Sequence, residues 1–198
     1  MLRSLHMKLV MIMVLLILSL MTVVGAFLIN SVMAFYLEDF YTQMSNVFSR
    51  ESLTRDLTTA NQGEEDGAKA ILDILETYSG ELGLNSYSRT LFILDGETGE
   101  YLAGSNDEAE KNLTYDSSNL THALATGEDS SSPNMAADYM DVAVTLERGG
   151  SPYVIYVLDN KSTVNSLINQ MFVLILESLV FGLIISILLS FLLSKTMI

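Results

Sequence analysis

Two stretches of this chain carry almost no charge, and they limit what it can fold into. From Leu9 to Leu37 no residue is charged, and from Met171 to Ser194 only Glu177 is. Each run exceeds the roughly 20 residues a helix needs to cross a bilayer's hydrocarbon. Two transmembrane helices are expected, over residues 9–30 and 170–194. Residues 1–8 are then an N-terminal tail, 31–169 a domain, and 195–198 a C-terminal stub. A cleaved signal peptide is the competing reading of the first run, since Arg3 and Lys8 make a basic start. Its apolar stretch is longer than the about 7–15 residues usual there, and the small residues near Ala34 make a weak cleavage site.

Charge sets an expected orientation. Arg3, His6 and Lys8 precede the first run and Lys195 follows the second. Lys and Arg accumulate on cytoplasmic flanks, so both termini are expected inside and residues 31–169 outside. The intervening segment holds 23 carboxylates against seven Lys and Arg, a formal −16. Such a surface disfavours nucleic acid and anionic lipid as partners of the domain. There is no cysteine, so disulfides cannot brace an outside domain and an ordinary core must hold it.

Within that segment the periodicity changes several times. Leu37, Phe40, Tyr41, Met44, Val47 and Phe48 form one helical stripe beyond the first membrane run. AKAILDILETYSGEL predicts a second helix, with Glu64, Glu65 and Asp66 at its start and Gly80 or Gly83 at its end. RTLFILDGETGEYLAGS reads as strand, turn, strand. Asp116 or a following serine can cap a short helix that buries Leu120, Ala123 and Leu124 and stops at Gly127. In YMDVAVTLE, Met140, Val142, Val144 and Leu146 face one way, with Asp141, Ala143, Thr145 and Glu147 opposite. YVIYVLD reads as a buried strand. The expected fold is α+β, a central antiparallel sheet with a long N-terminal helix.

This layout resembles the front part of bacterial sensor histidine kinases of the WalK type. The hairpin RTLFILDGETGEYLAGS, the helix SSNLTHALATGE and the pair MDVAVTLERGGSPYVIYVLDNKSTV are similar to the first hairpin, middle helix and closing hairpin of their PAS-like, single Cache domains. FLLSKTMI resembles the end of their second membrane helix, where a HAMP linker begins. The resemblance implies an extracytoplasmic sensor in a bacterial plasma membrane, controlling a cytoplasmic kinase beyond Ile198. It implies a homodimer, an extracellular ligand or envelope protein as stimulus, and a response regulator acting through the kinase region. Chemoreceptors and cyclic-dinucleotide enzymes carry similar front ends, and a stand-alone envelope scaffold is the reading from another class. This chain shows no phosphoacceptor histidine box and no ATP-lid glycines.

Few residues suggest chemistry. No catalytic constellation, metal site or cofactor motif is expected. His122 lacks the further ligands a zinc site requires, and reads as surface or packing. Asn112-Leu-Thr114 and Asn119-Leu-Thr121 match glycosylation sequons, which carry no meaning in a bacterial protein. Arg89, Tyr101, Tyr139, Tyr153 and Tyr156 are the candidate ligand contacts, against the alternatives of a solvated strand end and of tyrosines that fill sheet faces. The stripe around Met44 needs either the domain or a second copy to bury it, and a parallel homodimer with Met44 at the seam between chains is expected. Ser178, Gly182, Ser186, Ser190 and Ser194 form a small-residue ladder in the second membrane helix, as do Thr22, Ala26, Asn30 and Ala34 in the first. Glu177 is expected to face the helix bundle at the depth of Asn30 and Ser31.

Overall fold

The computed structural model describes residues 5–59, 66–84, 87–106 and 109–196. Arg3, Glu64 and Glu65, and the side chains of His6, Ser190, Ser194 and Lys195, lie outside the description. The chain forms two compact groups, one of residues Phe35–Thr163 and one of the apolar lengths before and after it.

Phe35–Thr163 is an α+β domain around a four-stranded antiparallel sheet, β1 (Arg89–Asp95), β2 (Tyr101–Gly104), β3 (Met140–Arg148) and β4 (Ser151–Asp159), ordered β2-β1-β4-β3. Two hairpins lie side by side, with the buried runs of β1 and β4 paired at the centre, Leu91 opposite Val157 and Ile93 opposite Ile155. The β1–β2 turn forms because Asp95 Oδ1 accepts from the N–H groups of Glu97 and Thr98, at 2.9 and 2.7 Å. Gly99 then takes φ +74°, a region open to glycine at no steric cost. At Gly96 a β-carbon would stand 2.7 Å from Pro152 Cβ.

Helices cover both faces. One face carries Leu91, Ile93, Met140, Val142, Ile155 and Val157. On it pack the end of α1 (Leu5–Phe48), α2 (Glu51–Thr59), α3 (Gly67–Thr77) and the short α4 (Ser79–Leu82). Leu37, Phe40, Met44 and Val47 of α1 are all buried there. The stripe that offered a seam for a second copy is therefore consumed by the domain's own core. The other face carries Phe92, Leu94, Ala143, Val154 and Tyr156 beneath α5 (Ala109–Asn112) and α6 (Ser118–Thr126), which contribute Ala109, Leu120 and Ala123.

Local signals account for most helix ends. Asp66 caps α3 by accepting from Lys69 N at 3.1 Å. Ser117 caps α6 by accepting from Leu120 N at 3.1 Å, and Gly127 closes it in the left-handed region. The single helix expected over 68–82 is broken at Tyr78, just before Ser79 and Gly80, where helix propensity is low. Gly83 ends the second piece at φ +70°. The helix α2 was not expected; Leu53 and Leu57 are its one-turn signal, and both are buried.

The last helix is α7 (Ser162–Thr196). Val10–Phe48 and Ser162–Leu189 are both long and apolar enough to cross a membrane. Their apolar side chains are not those of a core helix: Leu15, Leu16, Phe27, Phe172 and Phe181 are all more than half exposed. In the group formed by these lengths, Gly25 meets Ile175, and Gly182 approaches Ile17. That register is antiparallel.

Candidate functional site

The densest polar arrangement among the described residues lies under α6. Alternation along β3 places Asp141 on the same face as Ala143, opposite Leu158 of β4. α6 roofs this face, so the carboxylate is buried. Two residues at the start of α6 receive it. Ser117 donates its hydroxyl to Asp141 Oδ2 while capping the helix. Asn119 Nδ2 donates to Asp141 Oδ1 at 2.9 Å and to the Asp141 and Ser132 carbonyls, each at 3.1 Å. Asn119 Oδ1 accepts from Ser130 Oγ and Ser132 N, both at 2.8 Å. A buried carboxylate and amide are thus satisfied together, as burial demands.

Three tyrosines surround this charge. Burial raises the Tyr41 hydroxyl to about 12, with the Asp141 charge as the second cause. Tyr139 and Tyr156 are raised for the same two reasons in the same order. Tyr156 is fully buried, its ring 5.6 Å from that of Phe92, and its hydroxyl makes no hydrogen bond within the described residues. The arrangement offers a carboxylate, a hydroxyl and an amide, but no histidine adjoins it, and no three metal-ligating side chains converge among the described residues.

Arg89 sits on the opposite face. Its Nε donates to Asp159 Oδ2 at 2.9 Å. Nη1 donates to Gln43 Oε1 at 2.6 Å and to the Leu82 carbonyl at 2.8 Å, and the guanidinium lies 4.9 Å from the Phe40 ring centre. This cation joins α1, α4 and the last residue of β4.

The five candidate ligand residues are not one constellation. Tyr139 and Tyr156 meet around Asp141, and Tyr101 lies on the same face of the sheet, packed with Leu94 and Phe92. Tyr153 packs on the other face, where Arg89 also lies. A hollow of ≈ 350 Å³ opens between the end of α6 and the β3–β4 turn, lined by Ala123, Thr145, Glu147, Pro152 and Tyr153 among others. Arg89, Tyr101, Tyr139 and Tyr156 do not line it. His122 is exposed on α6, facing Thr126. The Asn119 side chain of the second sequon is buried.

In the two apolar helices the small residues divide. Gly25, Gly182 and Ser186 lie in the seam, with Ser186 buried. Thr22, Ala26, Asn30 and Ser178 are exposed. Gly25 was absent from the expected ladder and is the residue against which Ile175 packs. Within one chain the register sets Glu177 level with Val23, about 10 Å along the axis from Asn30 at 1.5 Å per residue.

No protein-family model, curated protein or solved structure matches the chain.

The sequence reading overlooked Asp141, Ser117, Asn119 and Tyr41 as a group. Alternation in β3 puts Asp141 only on the face opposite Met140, and in the sequence Asn119 stands out only as part of a sequon. Their usable signal was a capping serine followed two residues later by asparagine.

Proposed function

We propose that this chain is the sensory input and transmembrane signalling module of a WalK-like two-component sensor histidine kinase. In this reading Phe35–Thr163 is an extracytoplasmic PAS-like domain of the single Cache type. The two apolar helices cross a bacterial plasma membrane, and both termini are cytoplasmic. The module works as a homodimer and passes its state to HAMP and kinase parts, and so to a response regulator.

The observation that carries this reading is the continuity of α1. One helix, Leu5–Phe48, joins a charge-free length to a length whose Leu37, Phe40, Met44 and Val47 are domain core. A rearrangement of that core has a stiff element through which to act. At the other end only Asn160 and Lys161 separate β4 from α7. The arrangement of hairpin, helix and hairpin also supports the Cache assignment.

The test fuses residues 1–198 to the HAMP and kinase region of a membrane sensor kinase and measures autophosphorylation in vesicles. Inserting one to four residues at the junction should make output rise and fall with helical phase. Output indifferent to phase would remove the reading. The coding sequence past Ile198 is a second check. A HAMP pattern and a histidine-box helix are expected there; a chemoreceptor hairpin or a cyclase would change the output class, and a stop codon would favour an envelope scaffold.

A further inference from the structure

The joint between β4 and α7 is built unusually. Lys161 has φ +56°, the one non-glycine residue with positive φ among those described. A residue with a β-carbon is held there only when its surroundings over-determine it. Here the surroundings are specific. The Lys161 N–H donates to Asp159 Oδ1 at 2.8 Å, and its ammonium donates to the Ala137 carbonyl. The residue is 3% exposed. Burial lowers the affinity of the ammonium for its proton, while Asp138 and Asp159 oppose that. A partly buried, charge-assisted bond therefore fastens the start of α7 to the segment 131–139.

That segment has no regular structure and is held at other points by different elements. Its Ser132 is bonded to Asn119 of α6 through both N–H and carbonyl. The Tyr41 hydroxyl of α1 donates to the Ser132 carbonyl at 3.4 Å. Between these bonds and Lys161 its crest is open, with Asn134, Met135 and Ala136 exposed.

We propose that residues 131–139 are a regulatory strap, which ties α1 and α6 to the joint of α7 and holds Lys161 in its strained conformation. Lifting the strap releases Lys161 and lets the first turn of α7 reorient. The consequence for signalling rests on the function proposed above; the coupling itself does not.

Hydrogen–deuterium exchange on the whole chain in nanodiscs tests the coupling. Lys161→Met removes the ammonium and should speed exchange roughly tenfold both in 131–139 and in 160–170. Ser132→Pro, on an exposed loop position, removes the N–H bonded to Asn119 without touching Lys161. It should nevertheless speed exchange in 160–170. Peptides covering β1 and β4 should be unchanged in both. Unchanged exchange in 160–170 for Ser132→Pro overturns the strap, whatever Lys161→Met does to folding. If both variants exchange as expected yet leave autophosphorylation of the kinase fusion at its unmodified level, the strap stands and the signalling reading fails.

Discussion

At the scale of residues, the Asp141 cluster makes two sharp predictions. Tyr41, Tyr139 and Tyr156 hold their protons more tightly than a free tyrosine. Above pH 10 the unfolded chain releases protons that the native domain keeps, so stability falls as pH rises from 10 toward 12. Absorbance titration of the chain in micelles should show these three of its nine tyrosines ionising late. In Asp141→Asn they should move only part of the way back to 10, because burial is the larger cause. The second prediction concerns the Tyr156 hydroxyl, which is buried without a hydrogen bond. An unsatisfied hydroxyl costs about 1–3 kcal/mol, so Tyr156→Phe should leave Tm unchanged or raise it. A clear fall would mean that the hydroxyl bonds Asp141.

At the scale of elements, two joints matter most. In the Arg89–Asp159 pair Asp159 is buried and Arg89 largely so, with side chains 6% and 12% exposed. Removing one partner strands the other charge, so Arg89→Met should cost about 3–5 kcal/mol, read as a large fall in Tm. Arg50–Glu81 is nearly half exposed at each end and should contribute little. The helix pair α1–α7 rests on close approach at Gly25 and Gly182. Since the chain has no cysteine, the pair Ile17→Cys and Gly182→Cys should crosslink within one chain in membranes. Gly25→Leu, which drives a side chain into Ile175, should abolish that crosslink.

At the scale of the whole molecule, assembly and core make opposite demands on α1. Met44 is 1% exposed inside the domain. Met44→Ala should therefore cost about 2–5 kcal/mol, and Met44→Cys should not link two chains. Any contact between copies must use another surface, and scanning cysteines over the exposed Thr22, Ala26, Asn30 and Ser178 would find it in the membrane.

The sequence by itself determined the two apolar helices, both hairpins, the Gly127 end of α6 and the apolar face of β3. Each depends on a run, a period or a turn residue within a few positions, so the chain need not be folded to reveal it. Only the tertiary structure decided what covers each face. The stripe at Met44 had two possible partners, and the alternation in β3 cannot say that α6 roofs its polar side. Asp141 is buried because Ser117 and Asn119, more than twenty residues away, satisfy it there; a polar residue's burial is set by partners distant in sequence. The same holds for Arg89, whose bonds to Gln43, Leu82 and Asp159 form only once three elements converge. Lys161 is the extreme case, since its positive φ is disfavoured for a residue with a β-carbon and is held both by the nearby Asp159 and by Ala137, 24 residues away.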